Sequence, residues 1–197
     1  MDVKTIQDFL PKQSFDRLSQ IIFAPTFSWC LSTTIVSPYL KSKKKLKLFY
    51  MNHLVYNKDK DNFLNLQPID QHIMRLLVTD TMYFDNSSNY YNIIGESMPK
   101  GQFLGIPSIE NLIRIKINFY PNTTELYEHG YHIDYKYPHK GAILSLNTCD
   151  GYTKIRETGT KYPSVANTIL MFDPSKDHCS TTTTNAIGRF NININYQ

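Results

Sequence analysis

Cysteine is scarce in this 197-residue chain: there are three, none in a Cys-x-x-Cys pair. That excludes a disulfide framework and a thiolate zinc site, and it fits a reducing, intracellular setting. Charge is also sparse, at 19% of residues, and nearly balanced, with 21 Lys+Arg against 17 Asp+Glu. A net charge of +4 does not by itself call for a nucleic-acid partner. No apolar run approaches the roughly 18 residues needed to cross a bilayer, so no membrane partner is expected. No apolar stretch follows Met1–Asp8 in the manner of a secretory signal either. The Asn-x-Ser/Thr sites at Asn86 and Asn122 are then not expected to carry glycans. What the chain does not lack is aromatic residues, with 14 Tyr and 11 Phe within 41% hydrophobic types. Such a composition excludes long disorder for most of the chain and suffices for one domain with a substantial core.

Apolar spacing predicts a helix after Ser14, which can serve as its N-cap, with Phe15, Leu18, Ile21 and Ile22 on one face and Pro25 closing it. Phe27–Val36 and Leu48–Tyr56 read as strands, separated by the only charge run, 41–47. A second helix is predicted over Ile69–Thr79, and residues 80–107 read as irregular connections. From about Asn111 the texture changes. Leu112–Tyr120 alternates apolar and polar residues as a half-buried strand does, and Ala142–Asn147, Ala166–Asp173 and Arg189–Tyr196 follow. Short strands with turn signals every 10–15 residues argue for a sandwich or barrel. The expected fold is mainly β with flanking helices, the helices lying in the N-terminal half.

On a strand, residues i and i+2 share a face, so His132-Ile-Asp134 sets an imidazole beside a carboxylate. His178, after Phe172-Asp-Pro174, offers a third ligand. Two His and one carboxylate on one face of an octahedron leave three positions open, the arrangement of non-haem Fe(II) oxygenases. Two of these positions can chelate a 2-oxo acid and the third can bind O2. Arg189, opening the last strand, suits the distal carboxylate of such a co-substrate, because its fork bonds carboxylates bidentately and stays charged.

His132-x-Asp134, His178 and Arg189 in this order resemble the 2-oxoglutarate/Fe(II)-dependent dioxygenases, in the prolyl-4-hydroxylase-like branch that includes small phage-type proteins. The stretches Arg114–Pro121, Lys140–Thr153 and Arg189–Asn195 extend the likeness, with Phe9-Leu-Pro11 and Phe27-Ser-Trp29 nearer the N-terminus. The resemblance implies a single domain over 1–197: a double-stranded β-helix (jelly-roll) core over about 111–197, with helical and strand support over about 1–110. It implies Fe(II) on His132, Asp134 and His178, which are then the catalytic and metal-binding residues, and 2-oxoglutarate on Arg189 and Tyr120. O2 would be the second co-substrate and ascorbate an auxiliary reductant. Where many relatives place a second co-substrate tyrosine, this chain offers Ser145, with Asn147 or an asparagine of the last strand as substitutes. The implied setting is the cytoplasm of a bacterium or of a phage-infected host.

The implied reaction is hydroxylation of a C–H bond on a peptidyl or protein substrate such as proline, with release of succinate and CO2. The alternatives are a nucleic-acid base oxidase or demethylase, which the 41–47 run could serve by binding phosphates, and a non-catalytic jelly-roll interaction or virion protein. His129 and His139 flank the motif beside Gly130 and Pro138 and read as solvated loop histidines. Cys30, Cys149 and Cys179 read as buried or incidental.

Overall fold

A computed structural model describes residues 3–33, 48–60, 66–77 and 111–197. The predicted charge run 41–47 and the connections 80–107 lie outside the described residues. The chain order is β1 (Lys4–Ile6), α1 (Lys12–Ile22), β2 (Cys30–Ser32), β3 (Tyr50–Asn57), α2 (Pro68–Leu77), β4 (Leu112–Pro121), β5 (Lys140–Ser145), β6 (Cys149–Ile155), β7 (Lys161–Ser164), β8 (Thr168–Phe172), β9 (His178–Ser180) and β10 (Gly188–Tyr196). No helix among the described residues is long and apolar enough to cross a membrane.

Two antiparallel sheets form. The larger runs β1-β8-β5-β10-β4-β3-β2 and the smaller β7-β6-β9. The smaller sheet gains a fourth edge from the segment between β4 and β5, through isolated bridges Glu128↔Thr181 and His132↔His178. From β4 onward the chain therefore passes repeatedly between the sheets. β4, β5, β8 and β10 lie in one, and the 128–132 edge, β6, β7 and β9 in the other. This is the jelly-roll arrangement, with helices added on the N-terminal side.

Alternation explains how the sheet divides its faces. Ile113 aside, the apolar residues of β4 and β10 (Leu112, Ile115, Ile117, Ile192, Ile194, Tyr196) join the main core with Leu18 and Ile22 of α1 and Ile73, Met74 and Leu77 of α2. The intervening residues carry polar groups to the opposite face, between the sheets. There β4 presents Arg114, Lys116, Asn118 and Tyr120, and β10 presents Asn195, Asn193, Asn191 and Arg189 directly opposite them. The site is built on this polar wall.

Several local expectations are corrected. The first helix starts at Lys12 with Pro11 at the N-cap position and no side-chain cap, so Ser14 lies inside its first turn. Pro11, at φ −50° and ψ 140°, fixes the turn into the helix and its carbonyl accepts from Phe15 N at 3.0 Å. The strand expected from Phe27 begins only at Cys30, because Phe27 enters the core and stacks edge-on against Trp29 at 5.0 Å. His53 reaches off β3 to Asp70 of α2 at 2.7 Å, which ties the second helix to the sheet. Cys30 is exposed, while Cys149 and Cys179 are buried and free.

Candidate metal centre

His132 lies on a single bridge rather than on the continuous strand expected. Its backbone exchanges both hydrogen bonds with His178, N–H to carbonyl at 3.0 Å in each direction. Two residues so paired turn their side chains to the same side, and the two rings lie 4.5 Å apart. Asp134 N donates to Pro174 O at 2.9 Å, which holds the carboxylate beside them. His132, Asp134 and His178 each offer a ligand atom, all within 4.8 Å of one another. Within the group, His132 Nε2 and Asp134 Oδ1 are 3.9 Å apart.

Each ring is oriented from behind. The Nδ1 of His132 faces Gly130 O at 3.3 Å and that of His178 faces Lys176 O at 2.9 Å. A carbonyl only accepts, so Nδ1 carries the proton and each Nε2 lone pair is left for the site. Burial and the neighbouring His132 lower the His178 pKa, against the pull of Asp134, which favours the neutral imidazole that a metal needs.

The Asp134 side chain is buried, and burial alone would raise its pKa. Arg114, His178, a hydrogen bond from Asn193 and His132 outweigh this and bring it down to about 2. Arg114 reaches Oδ1 at 3.1 Å, and Asn193 Nδ2 donates to Oδ2 at 3.1 Å. The support continues along β10. Asn195 Nδ2 donates to Asn193 Oδ1 at 2.6 Å, and Asn195 Oδ1 faces His139 Nε2 at 2.9 Å. His139 is thus a buried member of the network behind the carboxylate, not a solvated loop residue. A donor set of two imidazole nitrogens and one ionised carboxylate fits a divalent first-row metal.

Arg189 is 1% exposed. It donates to Ser180 Oγ on β9 and to Thr153 Oγ1 on β6, the latter at 2.8 Å. Its Nε has no partner, and among the described residues no carboxylate pairs with it. Room for its stem comes from Gly151, where a Cβ would lie 2.7 Å from Arg189 Cδ. Tyr120, opposite Arg189 in the β4–β10 register, stacks on Tyr50 at 5.7 Å. Burial raises the Tyr120 pKa against the pull of Arg189 and Ser180, so the phenol keeps its proton.

His132, Asp134 and His178 therefore meet at one point, and Arg189 and Tyr120 pair on the β4–β10 wall. Among the residues expected as a second co-substrate contact, Asn147 is committed elsewhere. Its Nδ2 donates to Gly188 O and its Oδ1 accepts from Phe190 N, both at 2.9 Å, clamping the start of β10. Ser145 is buried across from Asn191. His129, also expected to be solvated, is buried against Tyr120 at 5.0 Å, and its Nε2 has no partner. Sequence reading missed Arg114 and Asn193. Their signal was present in the alternation of β4 and β10, where polar residues two apart face inward between isoleucines.

No family model matches the chain, and no curated protein matches it in sequence. Solved structures do match, over nearly its whole length. A 2OG-Fe(II) oxygenase family oxidoreductase from Burkholderia pseudomallei aligns with 99% of this chain and 84% of its own, at 11% identity and a TM-score of 0.57. A Trichoplax adhaerens prolyl hydroxylase, in complex with a peptide of a hypoxia-inducible factor oxygen degradation domain, aligns over 98% and 82%, at 13% identity and a TM-score of 0.55. The viral collagen prolyl hydroxylase of Paramecium bursaria chlorella virus 1, in a 2OG complex, aligns over 100% and 97%, at 10% identity and a TM-score of 0.51. The chain shares the fold of these 2OG-Fe(II) oxygenase and prolyl hydroxylase structures.

Proposed function

We propose that this protein is an Fe(II)- and 2-oxoglutarate-dependent dioxygenase that hydroxylates a C–H bond of a peptidyl substrate, proline being the first to test. The observation that carries this reading is the pairing of two features, one beside β9 and one on the β4–β10 wall. A His/Asp/His group has its Nε2 atoms presented, and a buried arginine has no carboxylate partner among the described residues. A buried guanidinium left uncompensated is costly, and a dicarboxylate that also reaches the metal supplies the missing charge. The peptide bound by the Trichoplax enzyme and the collagen named for the viral one support the choice of a prolyl substrate.

His132, Asp134 and His178 would hold the metal, and Arg189 with Tyr120 the far carboxylate of 2-oxoglutarate. The chemistry that Fe(II) and 2-oxoglutarate supply when bound is hydroxylation of a C–H bond by O2, with release of succinate and CO2. The protein's part is positional. Gly130 and Lys176 carbonyls fix the imidazole tautomers, and Arg114 and Asn193 keep Asp134 ionised and pointed. Ser180 and Thr153 aim the Arg189 fork.

Anaerobic addition of Fe(II) to protein with 2-oxoglutarate tests this through the visible charge-transfer band of the chelate. A band is expected in the wild type, absent in Asp134→Ala and formed only at higher 2-oxoglutarate in Arg189→Ala. A folded wild type with no band would overturn the assignment.

A further inference from the structure

The polar wall holds one more cation than the oxygenase reading uses. Alternation places Arg114, Lys116, Asn118 and Tyr120 on the same face of β4. Arg114 is engaged by Asp134, Asn118 Nδ2 by Asn191 Oδ1 at 3.1 Å, and Tyr120 lies against Arg189. Lys116 has no such partner among the described residues. Among the described residues no carboxylate forms an ion pair with it, and its ammonium lies 5.8 Å from the centre of the Tyr50 ring. It stands directly opposite Asn193, whose amide holds the metal-ligand carboxylate. On its other side it faces Leu54 of β3, an apolar residue that is 39% exposed, so the wall opens outward beside Lys116.

Burial and the neighbouring Arg114 lower the Lys116 pKa to about 8, against the attraction of Asp134. That is the response of an ammonium that lacks a counter-ion, yet at neutral pH it still carries its charge. The charges around the triad point the same way. Arg114, Lys116, Arg189 and a divalent ion, set against Asp134 and a dianionic 2-oxoglutarate, leave positive charge uncompensated within the fold. Such an excess is stable when the ligand arriving there brings the missing anion.

We infer that Lys116 is the anion-binding point of the substrate subsite, so that the molecule presented to the triad carries a carboxylate close to the C–H that reacts. This rests on the oxygenase reading above and narrows its substrate class. The carboxylate can belong to an Asp or Glu flanking the target residue in a peptide, or to a small carboxylic acid. A compact ammonium on a flexible stem binds either as a point charge.

The test uses full-length protein loaded with Mn(II) and 2-oxoglutarate, equilibrated with proline-centred peptide libraries and, separately, with N-acetyl amino acids and their carboxamides. In wild type, acidic peptides at one fixed offset from proline, or the free acids over their amides, are expected to bind about tenfold more tightly. Lys116→Met removes the preference, and Lys116→Glu turns it towards Lys and Arg, or towards the amides. Enrichment confined to peptides identifies the peptide source, and enrichment confined to free acids the small-molecule source. No carboxylate preference in either arm, or one unchanged in Lys116→Glu, would overturn the inference. The chelate band is read for every protein. Its absence from wild type refutes the oxygenase reading itself, whereas a normal band without carboxylate preference refutes only the role of Lys116.

Discussion

His129, near the triad, has surroundings that oppose a charge strongly. It is buried against Tyr120, and burial, then Arg189, then His132 hold its pKa down at about 4, from an ordinary 6.5. As pH falls below about 6.5 the unfolded chain binds this proton first, so the stability tied to His129 is full above that pH and is lost towards pH 4. By linkage, metal-free wild type should lose about 2 kcal/mol between pH 7 and pH 5 through this residue. His129→Phe keeps the ring and removes the titration, so its denaturant midpoint should fall less over the same interval. An identical fall in both proteins would show that His129 is charged in the fold. None of this was legible locally. His129 sits between Glu128 and Gly130, and only the antiparallel path beside β9, with its N–H on Ser180 O at 2.9 Å, carries it under Tyr120. His132 and Asp134 were legible as a candidate pair because His-x-Asp needs no long-range information to juxtapose its side chains, whereas Arg114 and Asn193 meet Asp134 only through the β4–β10 register.

The elements divide in the same way. β4 and β10 could be read because alternation marks the face that enters the apolar core, and β5 and β8 because they are short apolar runs buried on both faces. β6, β7 and β9 could not. β9 has three residues, β7 contains Pro163, and β6 carries Gly151 where a sequence reader expects a turn. That glycine is a device of the site. An alanine methyl there would meet Arg189 Cδ and the carbonyl oxygen of Thr182, each at 2.7 Å, and backbone on one side leaves the arginine as the part that must yield. Gly151→Ala should therefore raise the dissociation constant for 2-oxoglutarate by at least about tenfold, equal to 1.4 kcal/mol, with Mn(II) affinity within twofold of wild type. Titrations of metal alone and of co-substrate onto the metal-loaded protein separate the two quantities. Equal losses in both would mean that β6 as a whole had shifted.

Across the whole molecule, the triad draws its residues from separate parts of the fold. His178 belongs to the three-stranded sheet, while His132 and Asp134 lie on the connection from β4 to β5 of the seven-stranded one. Asp134 is fastened in turn to Asn193 of β10 and Arg114 of β4, so a metal on these three ligands would couple the small sheet to the middle of the large one. A ligand that binds only the folded state at a hundred times its dissociation constant adds about 2.7 kcal/mol. For a chain of this size that corresponds to a rise of about 5–10 °C in Tm. Mn(II), which avoids oxidative damage, should produce that rise in wild type, and 2-oxoglutarate should add to it only when metal is present. His178→Ala should abolish both increments, and Arg189→Ala should keep the first and lose most of the second. This pattern separates a site that spans the sheets from adventitious metal on surface histidines: a rise that survives in His178→Ala would place the ion elsewhere and remove the metal from the reading of this wall.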